Sequence, residues 1–146
     1  MIREYQPHDA DTVVSIWRAA TALAHPFLDK DFVEREAEAL RNVYLSFAET
    51  SVCEVNGEVV GFAALVENEV AGLFLRPSFH AQGLGRAMVD LAFQSKGPLR
   101  VEVFEKNTIG RRFYQAYGFR GSEEYLHEAS GETVLKLAYS PQHTTL

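Results

Sequence analysis

The segments SVCEV, VVGFAALV and VAGLFL crowd residues 50 to 75 and leave the chain little choice but to fold back on itself twice. Asn56-Gly57, between the first two, suits a tight hairpin because both residues tolerate positive φ. A second turn at Glu67 to Glu69 precedes the third segment. VVGFAALV is apolar almost throughout, as expected of a strand buried on both faces. The stretch therefore reads as a three-stranded antiparallel meander. Its last strand runs through RPSFHAQGLGR straight into an amphipathic helix reaching about Lys96, with Leu84, Met88, Leu91 and Ala92 on the inner side.

Helices precede the meander. Residues 2 to 6 read as a short strand, Pro7 follows, and Asp9 or Asp11 is placed to cap a helix. Its apolar positions Val13, Ile16, Trp17, Ala20, Leu23 and Ala24 recur with the helical period. Pro26 restricts His25 and ends that helix at an irregular HPFL corner. A second helix is predicted over about 31 to 45, with Asp31, Glu34 and Glu36 near the positive end of its dipole. Beyond Lys96, Gly97-Pro98 stops the chain's third helix and LRVEVF resumes strand alternation, Leu99, Val101 and Val103 facing one way. Asn107 begins another helix, Gly118 or Gly121 relieves its end, and two strands cover about 119 to 127 and 132 to 139. The expected fold is α/β, a mixed sheet with helices on it.

At 146 residues, 47% hydrophobic and 23% charged, the chain is sized for one domain, 1–146, folded throughout except for its last few residues. A formal net charge of -6 provides no broad electropositive field for nucleic acid or an anionic membrane. The N-terminus lacks the apolar core of a signal peptide, and no run approaches the roughly 20 apolar residues of a membrane span. The single cysteine, Cys53, fits a reducing compartment. A soluble cytoplasmic protein is expected, as monomer or homodimer.

The strand–turn–helix LFLRPSFHAQGLGRAMVDLAF carries the strongest functional pattern. Successive backbone N–H groups at the helix N-terminus can point into one concavity suited to phosphate. Gly83 and Gly85 would let the backbone approach a ligand, and Arg86 adds positive charge. The spacing QGLGRA is neither a GxGxxG fingerprint nor a Walker loop. Together with NTIGRRFYQAYGF, this segment resembles the GCN5-related N-acetyltransferases, with a match from about Val59 to Phe119 and the element order agreeing over nearly the whole chain. The chain is most similar to a small bacterial group of uncharacterised acetyltransferases sharing an early AHxFL segment. The resemblance implies a mixed, mostly antiparallel central sheet flanked by helices. It also implies acetyl-CoA as cosubstrate, with the pyrophosphate held at a [Q/R]xxGx[G/A] turn, here His80, Ala81, Gln82, Gly83, Leu84 and Gly85, followed by Arg86. His80 replaces the usual glutamine or arginine. Phe74 and Leu75 match the element that supports pantetheine through main-chain hydrogen bonds.

The family's N...A..FY...GF signature is met by Asn107, Phe113, Tyr114 and Gly118-Phe119, with Gly110 where alanine is commoner. Asn107 is expected either to bond a pantetheine amide or to cap the helix. Tyr114 is the candidate acid that protonates the departing CoA thiolate. Helical phase puts Ile109, Phe113, Ala116 and Tyr117 in the core stripe and Tyr114 at its flank, near Gly110. Direct attack by a neutral amine in a ternary complex is expected, a backbone amide near VAGLFL polarising the carbonyl. Cys53 lies by a hairpin with no paired His motif, so an acetyl-enzyme is not expected.

His25 in the HPFL corner is the candidate base, with a structural role in shaping the corner as its alternative. Glu102, sharing a face with Arg100 and Phe104, is a further candidate, and a water relay needs neither. No HExxH, paired-cysteine pattern or calcium loop suggests a metal. The expected acceptor is a primary amine of a small molecule. A protein or peptide amine is the alternative within the same chemistry, and a non-catalytic CoA-binding module is the alternative outside it.

Overall fold

The structure is a computed structural model that describes residues 1–141; the last few residues, expected to stand apart from the folded body, lie outside the described residues. Seven strands form one sheet: β1 (Ile2–Glu4), β2 (Glu49–Val55), β3 (Glu58–Val66), β4 (Glu69–Leu75), β5 (Leu99–Phe104), β6 (Arg120–His127) and β7 (Glu132–Tyr139). Their order is β1-β2-β3-β4-β5-β7-β6. Every neighbouring pair is antiparallel except β4 and β5, which run parallel and pair only at Glu69↔Arg100 and Val70↔Val101. From there the two strands part.

Four helices cover the sheet: α1 (Ala10–Ala24), α2 (Lys30–Ala39), α3 (Leu84–Lys96) and α4 (Thr108–Tyr117). Asp29 caps α2 by accepting from Phe32 N, and the helix then runs on through a π turn at Leu40–Tyr44 and a last turn at Leu45–Phe47. Three core clusters lie against the sheet. Val13, Val14 and Ile16 of α1 pack with Ala37, Leu40, Val52 and Phe62, while Val89 and Ala92 of α3 pack with Val101, Val103, Tyr114 and Phe119. β3 serves both sides of the sheet: Phe62 joins the α1 cluster, and Val60 and Ala63 pack with Met88 of α3. This accounts for its unbroken apolar run.

The turns follow the residues. Asn56 and Gly57 take φ of 54° and 79°, the left-handed pair that a tight hairpin requires. Gly118, at φ 125°, ends α4, whereas Gly121 lies inside β6 at a register shift, where a Cβ would come 2.3 Å from the Lys136 carbonyl oxygen. Asp9 occupies the N-cap position of α1, yet its buried carboxylate accepts from Gln6 N at 2.8 Å and from two Arg3 nitrogens at 2.9 Å. Arg3 also reaches Glu54, tying β1, the helix entry and β2 together.

Some inner positions differ from the expected stripes. Leu23 and Leu91 are exposed, and Gly85 and Val89 are buried in α3. In α4, Ile109 and Ala116 are exposed on the cleft side and Tyr114 is the buried residue, so the inner stripe runs through Gly110, Phe113, Tyr114 and Tyr117. Counting Ile109 as a core residue and Gly110 as a gap rotates the predicted stripe by one position. Cys53 is buried, and burial raises its thiol pKa, the opposite of nucleophile activation. Among the described residues no helix is long and apolar enough to cross a membrane, and no group of three metal-ligating side chains assembles.

Candidate active site

The parting of β4 and β5 opens a cleft of about 890 Å³ that passes between the α1–α2 corner and the start of α3. Ala71 to Leu75 lack ladder partners along the edge that faces β5. That edge is the segment expected to bond an extended amide-bearing chain. Phe74 turns its ring away from this edge, stacking on Phe62 with centroids 5.5 Å apart and meeting Trp17 edge-on. Its backbone is left free along that edge.

At one end of the cleft, β4 leads through a 3-10 turn at Pro77–Phe79 into the HAQGLG segment. Ala81 and Gly83 adopt left-handed φ of 63° and 82°, which coils the chain before α3. The amides of Gly83, Leu84, Gly85 and Arg86 find no acceptor among the described residues, and no side chain caps the helix. These donors and the helix dipole meet the requirements of a diphosphate. The two glycines have different work. A Cβ on Gly83 would meet nothing within 4 Å, while one on Gly85 would lie 3.1 Å from the Phe113 ring. Gly83 thus admits the turn, and Gly85 lets α3 settle on α4.

His80, expected at the phosphates in place of glutamine or arginine, lines the cleft and donates from Nε2 to the Leu75 carbonyl at 3.2 Å. The ring staples the turn to the end of β4. Arg86 lies over the Tyr117 ring at 4.9 Å, and Tyr117 donates to Asp90 at 2.6 Å. Gln82 instead donates outward to Ser78 O at 3.3 Å.

Asn107 and His25 form an unexpected pair. Asn107 Oδ1 accepts from Gly110 N at 2.8 Å, which caps α4 and fixes the orientation of the carboxamide. Its Nδ2 must then donate to His25 Nε2, 3.1 Å away, so the imidazole carries its proton on Nδ1. Burial pushes the His25 pKa down to about 4. The lone pair that a base would use is already engaged by Asn107. Gly110 makes this arrangement possible, since a Cβ there would fall 2.5 Å from Asn107 Nδ2.

Tyr114 lines the cleft from α4, its ring held edge-on by Phe113 and Phe119 with centroids 5.2 Å from each. Its hydroxyl has no hydrogen-bond partner among the described residues, and it is not one of the sealed, unsatisfied polar atoms. Desolvation holds the phenol well above its ordinary pKa. It is a protonated donor with nothing in the protein to donate to.

The far end of the cleft is aromatic and acidic. The HPFL corner lies against β5, where His25, Phe27 and Phe104 meet edge-on at 5.1 to 5.7 Å, and His127 and Phe32 extend the wall. Glu36, Glu69 and Glu102 line it, Glu69 lying 3.5 Å from Arg100, and Arg86 is the only Lys or Arg among the described lining residues. Tyr125, which sequence reasoning missed, donates to Glu102 at 2.5 Å; that hydrogen bond and burial push the phenol up to about 12. The two side chains meet across β7, a register that EEYLH does not announce.

Comparison with known proteins agrees with this geometry. The acetyltransferase (GNAT) domain family matches residues 46–121. The peptidyl-lysine N-acetyltransferase YiaC of Escherichia coli strain K12 is 32% identical over 120 residues, 82% of each chain. The peptidyl-lysine N-acetyltransferase YjaB of Salmonella typhimurium is 30% identical over 120 residues, again 82% of each chain. The solution structure of apo YjaB from Escherichia coli superposes with a TM-score of 0.86 at 25% identity, covering 95% of this chain and 96% of that one. A cleft at a split sheet, with a turn of unpartnered amides at one end, fits the class of acyltransferases that use an acyl-CoA. The chain belongs to the GNAT acetyltransferase family and is an acetyl-CoA-dependent N-acetyltransferase.

Proposed function

We propose that the enzyme acetylates the side-chain amine of lysine in proteins or peptides. Its likeness to YiaC over 82% of the chain carries the reading, since that relative is a peptidyl-lysine N-acetyltransferase. It moves the acceptor from the small molecule expected from the sequence to a polypeptide. The acidic, aromatic end of the cleft supports it: the carboxylates of Glu36 and Glu102, with Glu69 beside Arg100, favour a cation, and Leu28, Phe104 and His127 suit an aliphatic stem. Acetyl-CoA supplies the activated acetyl thioester.

In this reading the amides of Gly83 to Arg86 bind the diphosphate and the free edge of β4 aligns the pantetheine arm. Asn107, held by His25 and Gly110, presents its amide at the same edge. Glu102, hydrogen-bonded to Tyr125, accepts a proton from the incoming ammonium, directly or through water. Tyr114 donates its proton to the departing thiolate. His25 acts as a positioning residue for Asn107, with its lone pair already engaged.

Incubation with acetyl-CoA and a panel of end-blocked peptides carrying one internal lysine, beside polyamines and free amino acids, tests the reading by product mass. The expected result is transfer to peptide lysine with the higher kcat/KM. Transfer confined to small amines would overturn it.

A further inference from the structure

Three bulky apolar side chains stand in solvent where α2 runs out: Val43 is 54% exposed, Tyr44 46% and Phe47 70%. Scattered apolar residues are ordinary on a surface, but three within five positions beside a ligand cleft make a patch that a partner can cover. Tyr44 and Phe47 line the cleft together with Phe32, Glu36 and Leu40. In a uniform α-helix a stripe spaced by four residues drifts by about 40° at each step. The π turn corrects that drift: it closes on the fifth residue, Leu45 N donating to Leu40 O, so the wider turn brings Tyr44 back beneath Leu40. One strip from Phe32 to Phe47 therefore stays turned toward the cleft.

The strip has a definite chemistry. Glu36 is partly exposed, and its carboxylate has no hydrogen bond or ion pair among the described residues. It joins Glu102, and Glu69 beside Arg100, as a carboxylate of a cleft in which Arg86, at the diphosphate end, is the only Lys or Arg among the described lining residues. A cation is drawn to this end of the cleft, and an apolar group is favoured just beyond it. A free amine meets the first condition and leaves Tyr44 and Phe47 bare.

We infer that the strip from Glu36 to Phe47 docks the polypeptide bearing the acceptor lysine and seats a bulky apolar neighbour of that lysine on Tyr44 and Phe47. The inference rests on the peptidyl-lysine reading. Glu36 holds the basic character of the segment near the cleft, and the two aromatic rings select what flanks the lysine. The enzyme thereby discriminates among lysines by their neighbours.

Two end-blocked peptides test this, each with one central lysine, flanked by leucine in one and by serine in the other. For the wild-type enzyme kcat/KM is expected to favour the leucine-flanked peptide about tenfold, through KM, as half-burial of such a side chain gives. In the double variant Tyr44→Ser, Phe47→Ser the ratio should fall to within about twofold of one. Because each ratio is taken within one enzyme, loss of folded protein cancels. Phe47→Ser alone, at the most exposed position, should lower the ratio at least threefold if the double variant is poorly soluble. A wild-type ratio near one, or variants that retain the wild-type ratio, would overturn the docking strip while leaving lysine transfer standing. No transfer to either peptide, with small amines acetylated, would overturn both.

Discussion

Tyr114→Phe separates chemistry from packing more sharply than any other change in the cleft. The substitution removes one oxygen and keeps the ring, so the edge contacts with Phe113 and Phe119 at 5.2 Å survive. The hydroxyl has no partner among the described residues, and its loss forfeits no intramolecular hydrogen bond. Folding stability should change by less than about 0.5 kcal/mol. If the phenol protonates the leaving thiolate, its removal lowers kcat by about 10² to 10⁴, or roughly 3 to 5 kcal/mol of barrier. Release of free CoA thiol, followed with a thiol reagent at saturating acetyl-CoA and peptide, reads the rate, and thermal unfolding reads the stability. Because burial raises the phenol's pKa, the acid stays loaded and the wild-type rate should show no Tyr114-dependent decline below about pH 10. A kcat within threefold of wild type, or an activity loss matched by a lowered melting temperature, would refute the acid assignment.

His25→Ala should raise the KM for acetyl-CoA about fivefold by freeing the Asn107 amide, while the pH profile of kcat keeps its shape; a hundredfold fall in kcat would restore the base reading. The same residue makes the fold sensitive to mild acid. Its pKa of about 4 lies below the ordinary 6.5, so the unfolded chain binds the extra proton between those values, and stability falls by about 3 kcal/mol as pH drops through that window. Urea midpoints measured from pH 7 to 4 should show this slope, and His25→Ala should flatten it. Asp9 acts lower. Held at about 2 by Arg3, against 3.8 ordinarily, it contributes about 2 kcal/mol that is fully present above pH 4 and lost as pH falls through 2. Asp9→Asn should remove that acid-limb slope and lower the neutral-pH midpoint.

Much of the fold could be read from local pattern. The meander, the HAQGLG turn, the Asn107 cap and the last hairpin occur where residue chemistry puts them, because glycines, asparagine and continuous apolar runs act over a few residues. The phase of α4 was misread because Gly110 has no hydrophobicity to count, although its missing side chain is what admits the Asn107 carboxamide. Asn107 was legible as a cap, but its bond to His25 joins residues 82 positions apart and leaves no trace in spacing. Glu102 could be placed on an alternating face; Tyr125 beside it depended on strand register across β7. The π turn was hidden altogether, since LRNVY looks like ordinary helix and only the surrounding packing chooses the wider turn.

The parting of β4 from β5 also bears on how this molecule avoids its own kind. An unpaired strand edge is a template for any passing chain, and sheets usually bury, twist or charge such edges. Here the open edge lies in the middle of the sheet, between walls formed by the α1–α2 corner and the start of α3, where a flexible linear arm can thread and a second sheet cannot. In the proposed reading the enzyme keeps an unpaired backbone edge available for its cosubstrate without offering it to aggregation. Once threaded, that arm would extend the border between β4 and β5, which two ladder pairs and the contacts of Asn68 with Arg100 and Pro98 now close at one end only.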